Sequence, residues 1–168
     1  MRIVESLDDE WELSREAAHP NAQRLMKAEF YWDVFDDDSP FGNDTGADTL
    51  EFYRAWSATS DEEDEFLDQL FEDWEVDREL AESIPDGELR DRLEEDHFDI
   101  LTYDDVVIAV AFAQIVLEGN ASRQIAAAAS RSLERQALPE VIDFRGWSDP
   151  AERRERCAEM LEVMQSAI

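Results

Sequence analysis

Two glutamates in this sequence are each followed, three residues later, by a histidine. The pairs are Glu16 with His19 and Glu94 with His97. Residues three apart share a face of a helix, and di-iron carboxylate bundles use two such pairs to bind their metals. Pro20 follows His19 directly, and a residue before proline avoids helical geometry. The alternative interpretation is that both histidines cap helices or lie on the surface.

A second group of possible metal ligands occupies residues 36–48, where oxygen-bearing side chains are frequent. In an EF-hand register that starts at Asp37, Gly42 takes the sixth position, which requires glycine. Phe41 then replaces a ligand at the fifth position, and Asp48 replaces the glutamate at the twelfth. We therefore expect no bound cofactor. The weak candidates for metal ligands are Asp36, Asp38, Asn43 and Asp44.

The same region carries a recognisable motif, which reads Ser-Pro-Phe-Gly-Asn-Asp-Thr-Gly-Ala-Asp-Thr-Leu over residues 39–50. It resembles two little-understood groups of bacterial proteins. One is the YfeS-like family, some members of which carry a molybdate-metabolism-regulator label, and its pattern is similar over residues 18–56. The other is a helical domain of unknown function with a Gly-Pro-Phe-Asp-Asn-Asp start, in which Ser39 replaces the first glycine and Gly42 the first aspartate. The resemblance implies a helical fold and no particular activity.

Structure alone explains this motif. Gly42 and Gly46 permit backbone angles that other residues resist, and Asn43 or Asp44 can accept hydrogen bonds from the free amides of the next helix. We therefore expect a structural motif that consists of Pro40, Phe41, Gly42, Asn43, Asp44 and Gly46.

A further acidic pattern suggests phosphate chemistry. Glu62-x-x-Glu65, followed by Glu88-x-x-Asp91, resembles the signature of all-helical nucleoside triphosphate pyrophosphatases, whose carboxylates hold Mg²⁺ against phosphates. Phe66 stands where the fuller signature has another acid. A Mg²⁺-dependent phosphohydrolase of this type is the alternative function, and the cations available to a triphosphate would be Arg54, Arg78, Arg90 and Arg92.

The helix predicted after Ser60 combines an apolar face with an acidic one. Ser60 and Glu63 have the spacing of a capping box, and apolar residues then follow at helical spacing up to Trp74. Five like-charge pairs four residues apart cost about 1 to 2 kcal/mol in total, and Arg78 is the one base among them. A partner can relieve such a conflict, so we interpret these acids as a partner-binding surface, with a solvated helix face as the alternative. This acidic stripe consists of Asp61, Asp64, Glu65, Asp68, Glu72, Glu75 and Glu79.

Periodicity and capping residues predict an all-α fold in one domain, residues 1–168. Residues 106–117 are apolar on nearly every side, which predicts a central buried helix at about 103–118, capped by Thr102 and Asp105. Cys157 lies on the apolar face of the last helix and is predicted to be a core residue. Further helices are expected from Pro20 toward Trp32, over residues 45–58, 88–96 and 122–136, and after Asp149.

The charge is large and unevenly distributed. The 44 acidic and 15 basic residues give a net charge of −29. Residues 1–105 contain 35 of the acids and 8 of the bases, so residues 106–168 are nearly neutral. Such a field repels nucleic-acid phosphate and anionic lipid and attracts basic partners. Salt adaptation is the alternative explanation, although it should coat every exposed face with acid.

These observations together predict a cytoplasmic, non-enzymatic interaction protein. The single cysteine fits a reducing compartment, and the apolar stretch over residues 106–113 is too short to span a bilayer. We expect no direct nucleic-acid binding and no membrane insertion. The expected partner is a basic protein that meets a carboxylate surface, as in an immunity protein, an antitoxin or a DNA mimic. The alternatives are the phosphohydrolase and a salt-adapted helical domain of another role.

Overall fold

The computed structural model describes residues 11–96 and 98–168. Within these residues the chain forms nine α-helices and no strand, which confirms the predicted all-α class. A short 3₁₀ helix, Glu29–Trp32, follows the first α-helix. The α-helices are α1 Pro20–Leu25, α2 Asp44–Ser57, α3 Glu63–Asp73, α4 Arg78–Ser83, α5 Asp86–Asp96, α6 Phe98–Glu118, α7 Arg123–Gln136, α8 Pro139–Arg145 and α9 Pro150–Ser166.

Helix α6 is the centre of the fold, as predicted. Its residues from Val106 to Val116 are almost completely buried, and α2 and α7 pack against it while α9 packs on α7. Residues 99–118 are long and apolar enough to cross a membrane by length and composition, but 78% of the apolar window is buried inside the protein. Burial of this extent by neighbouring helices is typical of a core helix.

The predicted start of the central helix was wrong. Thr102 and Asp105 lie inside α6 rather than at its cap, because the helix begins at Phe98. Two acids within α6 are neutralised by arginines from later helices: Asp104 by Arg135 and Asp105 by Arg145. Carboxylates with such partners can occupy the interior of a buried helix. Asp105, one of the two residues that resembled a cap, therefore makes an inter-helix contact instead.

The first helix is shorter than predicted. It ends at Leu25, and the chain reaches Trp32 through the 3₁₀ helix instead. The indole of Trp32 donates a hydrogen bond to the Met26 carbonyl (Nε1–O 2.9 Å), which holds this turn in place. His19 caps α1, because its Nδ1 accepts the Asn21 amide at 3.0 Å. The capping interpretation of His19 is thereby confirmed, while the Glu94–His97 pair lies outside the described residues.

The C-terminal helices follow the predicted pattern closely. Ser122 caps α7 and Asp149 caps α9, each through its side-chain oxygen. Cys157 is fully buried, as predicted, and burial raises the pKa of its thiol. A thiol in this environment is a packing group rather than a nucleophile. Helices α4 and α8 were not predicted, since each is shorter than two full turns of apolar periodicity.

Candidate functional site

Helix α3, which carries much of the acidic stripe, begins and ends differently from the prediction. Ser60 and Glu63 do not form a capping box, because no side chain caps this helix. Glu63 instead accepts hydrogen bonds from Gln114 (2.8 Å) and Ser122 (2.7 Å), which tie α3 to α6 and α7. The helix ends at Asp73, and Glu75 follows with a left-handed backbone (φ 55°).

The acidic stripe is therefore not one helical face. All seven of its residues are exposed, as expected. Asp64, Glu65, Asp68 and Glu72 lie on α3, whereas Asp61 precedes the helix and the last two lie beyond it, Glu75 in the turn and Glu79 in α4. Of the five predicted like-charge pairs, only 64/68 and 68/72 fall within a single helix, so the expected electrostatic cost was too high.

Arg78 compensates one side of α3. The turn after α3 brings α4 back along it, so that the Arg78 guanidinium contacts Asp68 (2.8 Å), Glu82 (3.1 Å) and Asp64 (3.5 Å). Gln124 also donates to Asp64 at 2.6 Å. Burial acts to lower the pKa of Arg78, but the hydrogen bonds to Glu82 and Asp68 outweigh it, so the pKa is raised. Asp64 and Asp68 are consequently paired within the protein, in an ion-pair network at its surface.

The other side of α3 borders an open groove against α2, which we call the acidic groove. Its volume is about 670 Å³. Its aromatic floor includes Phe52, which is 49% exposed, and Trp74, whose ring centroid lies 6.2 Å from that of Phe52. Trp56 and Phe66 continue the floor, with centroids 5.2 Å apart. The rim is formed by the polar side chains Glu65, Asp68, Gln69, Glu72 and Asp73.

Two carboxylates on this rim have no basic partner among the residues that the structure describes. Within the described part of the chain, no base lies within ion-pair distance of Glu65 or Glu72. Glu65 also faces another acid, the exposed Glu62. The hydrogen bond between their side chains and the charge of Glu65 raise the pKa of Glu62. The acidic groove thus combines exposed aromatic surface with unpaired negative charge. Phe52, which sequence reasoning missed, lies off the apolar face of α2 that Leu50 and Tyr53 define.

The motif at residues 39–50 comprises the loop that leads into α2, residues 39–43, and the first turns of that helix. Asn43 caps that helix by accepting the Gly46 amide at 2.7 Å, as expected, and Phe41 is buried. The predicted reason for the two glycines was wrong, because neither has a positive φ. They are required by close approach instead. A Cβ at Gly42 would overlap the Asp36 carbonyl oxygen, and one at Gly46 would overlap that of Pro40.

Three of the four weak metal candidates are engaged by protein groups, and the fourth, Asp44, is exposed. Asp36 accepts the Asp38 amide at 2.9 Å, Asp38 pairs with Arg153 at 3.0 Å, and Asn43 is the cap of α2. Over residues 11–96 and 98–168, no group of three or more His, Cys, Asp or Glu side chains could hold a metal ion. This statement also applies to the four carboxylates of the pyrophosphatase-like signature, which are Glu62, Glu65, Glu88 and Asp91.

Fold and site together define a compact, strongly acidic all-α protein with an apolar central helix. Its sequence is similar to that of YfeS, an uncharacterized protein of Escherichia coli strain K12, with 28% identity over 138 residues. The match covers 80% of this chain and 57% of YfeS, so the chain spans little more than half the length of that relative. The similarity confirms the predicted YfeS-like resemblance. No family model and no solved structure matches the chain.

Proposed function

We propose that this protein is a non-enzymatic interaction protein that docks a basic protein partner in the acidic groove. The observation that carries the proposal is the position of Glu65 and Glu72, which have no basic partner among the described residues, beside a partly exposed aromatic floor. Apolar contact provides affinity at such a surface, while the charges steer a cationic partner toward it and fix its register.

The composition of the groove favours one kind of basic partner. A surface that only replaces the phosphates of DNA needs carboxylates and no aromatic floor. A groove that also exposes Phe52 and parts of Trp56 and Trp74 suits a protein segment with both cationic and apolar side chains. An immunity protein or antitoxin that covers the cationic surface of a toxin fits this description better than a DNA mimic does.

The acidic groove can be tested directly with a defined probe. We would titrate ¹⁵N-labelled protein with a synthetic amphipathic lysine/leucine helical peptide and follow the indole N–H signals of Trp56 and Trp74 at moderate salt. Saturable shifts of both signals are expected. Replacing Glu65→Gln and Glu72→Gln together should weaken binding about threefold to tenfold, because two exposed ion pairs are lost. Phe52→Ala should weaken it independently of salt.

A matched variant separates docking from general charge attraction. Glu94→Gln with Glu95→Gln removes the same charge from exposed positions of α5, far from the groove floor. This control should bind the peptide as the parent does. If it loses as much affinity as the groove variant, or if a glutamate/leucine peptide binds equally well, the proposal is wrong. A natural partner captured from the host should show the same ranking of the variants.

A further inference from the structure

A second cavity lies against residues 39–43 of the motif, which we call the motif loop. It shares no lining residue with the acidic groove. Its volume is about 340 Å³, which is at the lower end of the range of small-molecule sites. The motif loop forms one wall, α6 contributes Asp105, the end of α8 contributes Arg145, and the turn after α8 contributes Trp147. Arg153 on α9 closes the cavity. The walls therefore come from regions far apart in the sequence.

The charged residues that line this cavity are two arginines, Arg145 and Arg153, and three aspartates. Arg153 is 7% exposed and donates one hydrogen bond, from Nη1 to Asp38 at 3.0 Å. Arg145 donates through Nη2 to Asp105 at 3.1 Å and to the Leu101 carbonyl at 3.3 Å. These two guanidinium groups have ten N–H donors between them, which the contacts satisfy only in part.

Three buried nitrogens that belong to residues lining the cavity have no hydrogen-bond partner among the described residues. They are Nε of Arg145, Nε of Arg153 and the indole Nε1 of Trp147. The Arg153 guanidinium lies over the Trp147 ring, with 4.3 Å between its Cζ and the ring centroid, so these two side chains hold each other in place. All three nitrogens are donors, and a buried donor without an acceptor is costly.

Two of the three carboxylates that line the cavity are already engaged. Asp38 is shared by Arg153 and, at 3.8 Å, by Arg156 behind it, while Asp105 is paired with Arg145. Burial raises the pKa of both carboxyl groups, and the arginines oppose the shift. Asp37 is exposed at the mouth. What the cavity still demands is therefore an acceptor rather than another donor.

We propose that this cavity is a binding site for a small molecule that carries a carboxylate or phosphate group, with Arg145, Arg153 and Trp147 as its donors. Guanidinium groups are suited to both anions, because their planar fork matches two oxygens at once. The left-handed Gly146 (φ 76°) at the end of α8 makes the turn that places Arg145 and Trp147 on the same wall. The site is independent of the acidic groove.

The test is an NMR titration with simple anions. Protein labelled with ¹⁵N would be titrated with sodium acetate and, separately, with sodium phosphate, at an ionic strength held constant with sodium chloride. The Nε–H signals of Arg145 and Arg153 and the Trp147 indole signal should shift together and saturate. Saturation with acetate alone, with phosphate alone or with both identifies the anion class.

Two variants assign the site. Trp147→Phe keeps the aromatic ring under Arg153 but removes its donor, and should weaken binding about fivefold. Trp74→Phe, in the acidic groove, is the matched control and should leave anion binding unchanged. Ser148 is exposed at the cavity mouth, so Ser148→Trp should block entry even if Trp147→Phe perturbs folding. Linear shifts without saturation, or equal shifts with sodium chloride alone, would overturn the proposal, since the cavity would then hold only water.

Discussion

Arg135 of α7 and Asp104 of α6 form a buried, two-point ion pair. Arg135 Nε lies 3.0 Å from Asp104 Oδ2, and Nη2 donates to Oδ1. Asp104 is completely buried and also accepts from Ser132 (2.6 Å) and Gln136 (2.7 Å). The remaining Arg135 nitrogen donates to the Ala81 carbonyl at 2.8 Å, so the pair also anchors α4. This ion pair therefore joins three helices, because Asp104 of α6 binds α7 directly and Arg135 of α7 binds α4.

Asp104→Asn should destabilise the protein strongly. It leaves Arg135 buried without its counter-charge, and removing one partner of a buried pair typically costs about 3 to 5 kcal/mol. Urea unfolding followed by circular dichroism measures the loss. The control is Glu29→Gln, which removes an exposed partner of Arg15 and should cost less than about 1 kcal/mol. Equal effects of the two substitutions would contradict the central role of Asp104.

Gly42→Ala should destabilise the loop that leads into α2. The new Cβ would overlap the Asp36 backbone carbonyl, which cannot move without disturbing the loop. We expect a loss of about 1 to 3 kcal/mol, as for other overpacked buried positions. Gly87→Ala is the matched control, since nothing lies within 4 Å of that position on α5. It should stabilise the protein by about 0.4 to 1 kcal/mol, and thermal unfolding distinguishes the two outcomes.

The four residues of the acidic stripe that lie on α3 should divide into two groups when they are neutralised. Asp64→Asn with Asp68→Asn removes the partners of Arg78 and should lower stability slightly, by about 0.5 to 2 kcal/mol. Glu65→Gln with Glu72→Gln removes only repulsion and should leave the melting temperature unchanged or higher. Melts at low salt give the largest contrast. If both double variants behave alike, Arg78 does not compensate the stripe as the distances indicate.

Added salt should stabilise the parent protein, because it screens the repulsion among charges that sum to −29. The Debye length falls from about 10 Å at 0.1 M salt to about 3 Å at 1 M, so simple screening should be nearly complete by then. Thermal melts over a sodium chloride series test this expectation. A melting temperature that keeps rising above 1 M would instead support the alternative of salt adaptation, and coincident melts would contradict both.

The sequence by itself determined the helical class and the framework of the long helices. The apolar run over residues 106–117 has no polar face to expose, so it had to become the buried centre. Local caps such as Asn43, Ser122 and Asp149 depend only on neighbouring amides, which is why they could be recognised without the fold. The charge imbalance, and with it the expectation of a basic partner, also follows from the residues alone.

Only the tertiary structure decided which charges are free and which are paired. Asp104 and Arg135 are 31 residues apart, and Asp38 and Arg153 are 115 apart. No local pattern relates such residues. The end of α3 was missed for a similar reason. Acids on both sides of Glu75 continue the helical spacing, but the chain turns at Glu75 and Arg78 pairs with Asp68. Hydrophobic period predicts helices, but long-range electrostatic pairing is set by how those helices pack, and both candidate sites arise from that packing.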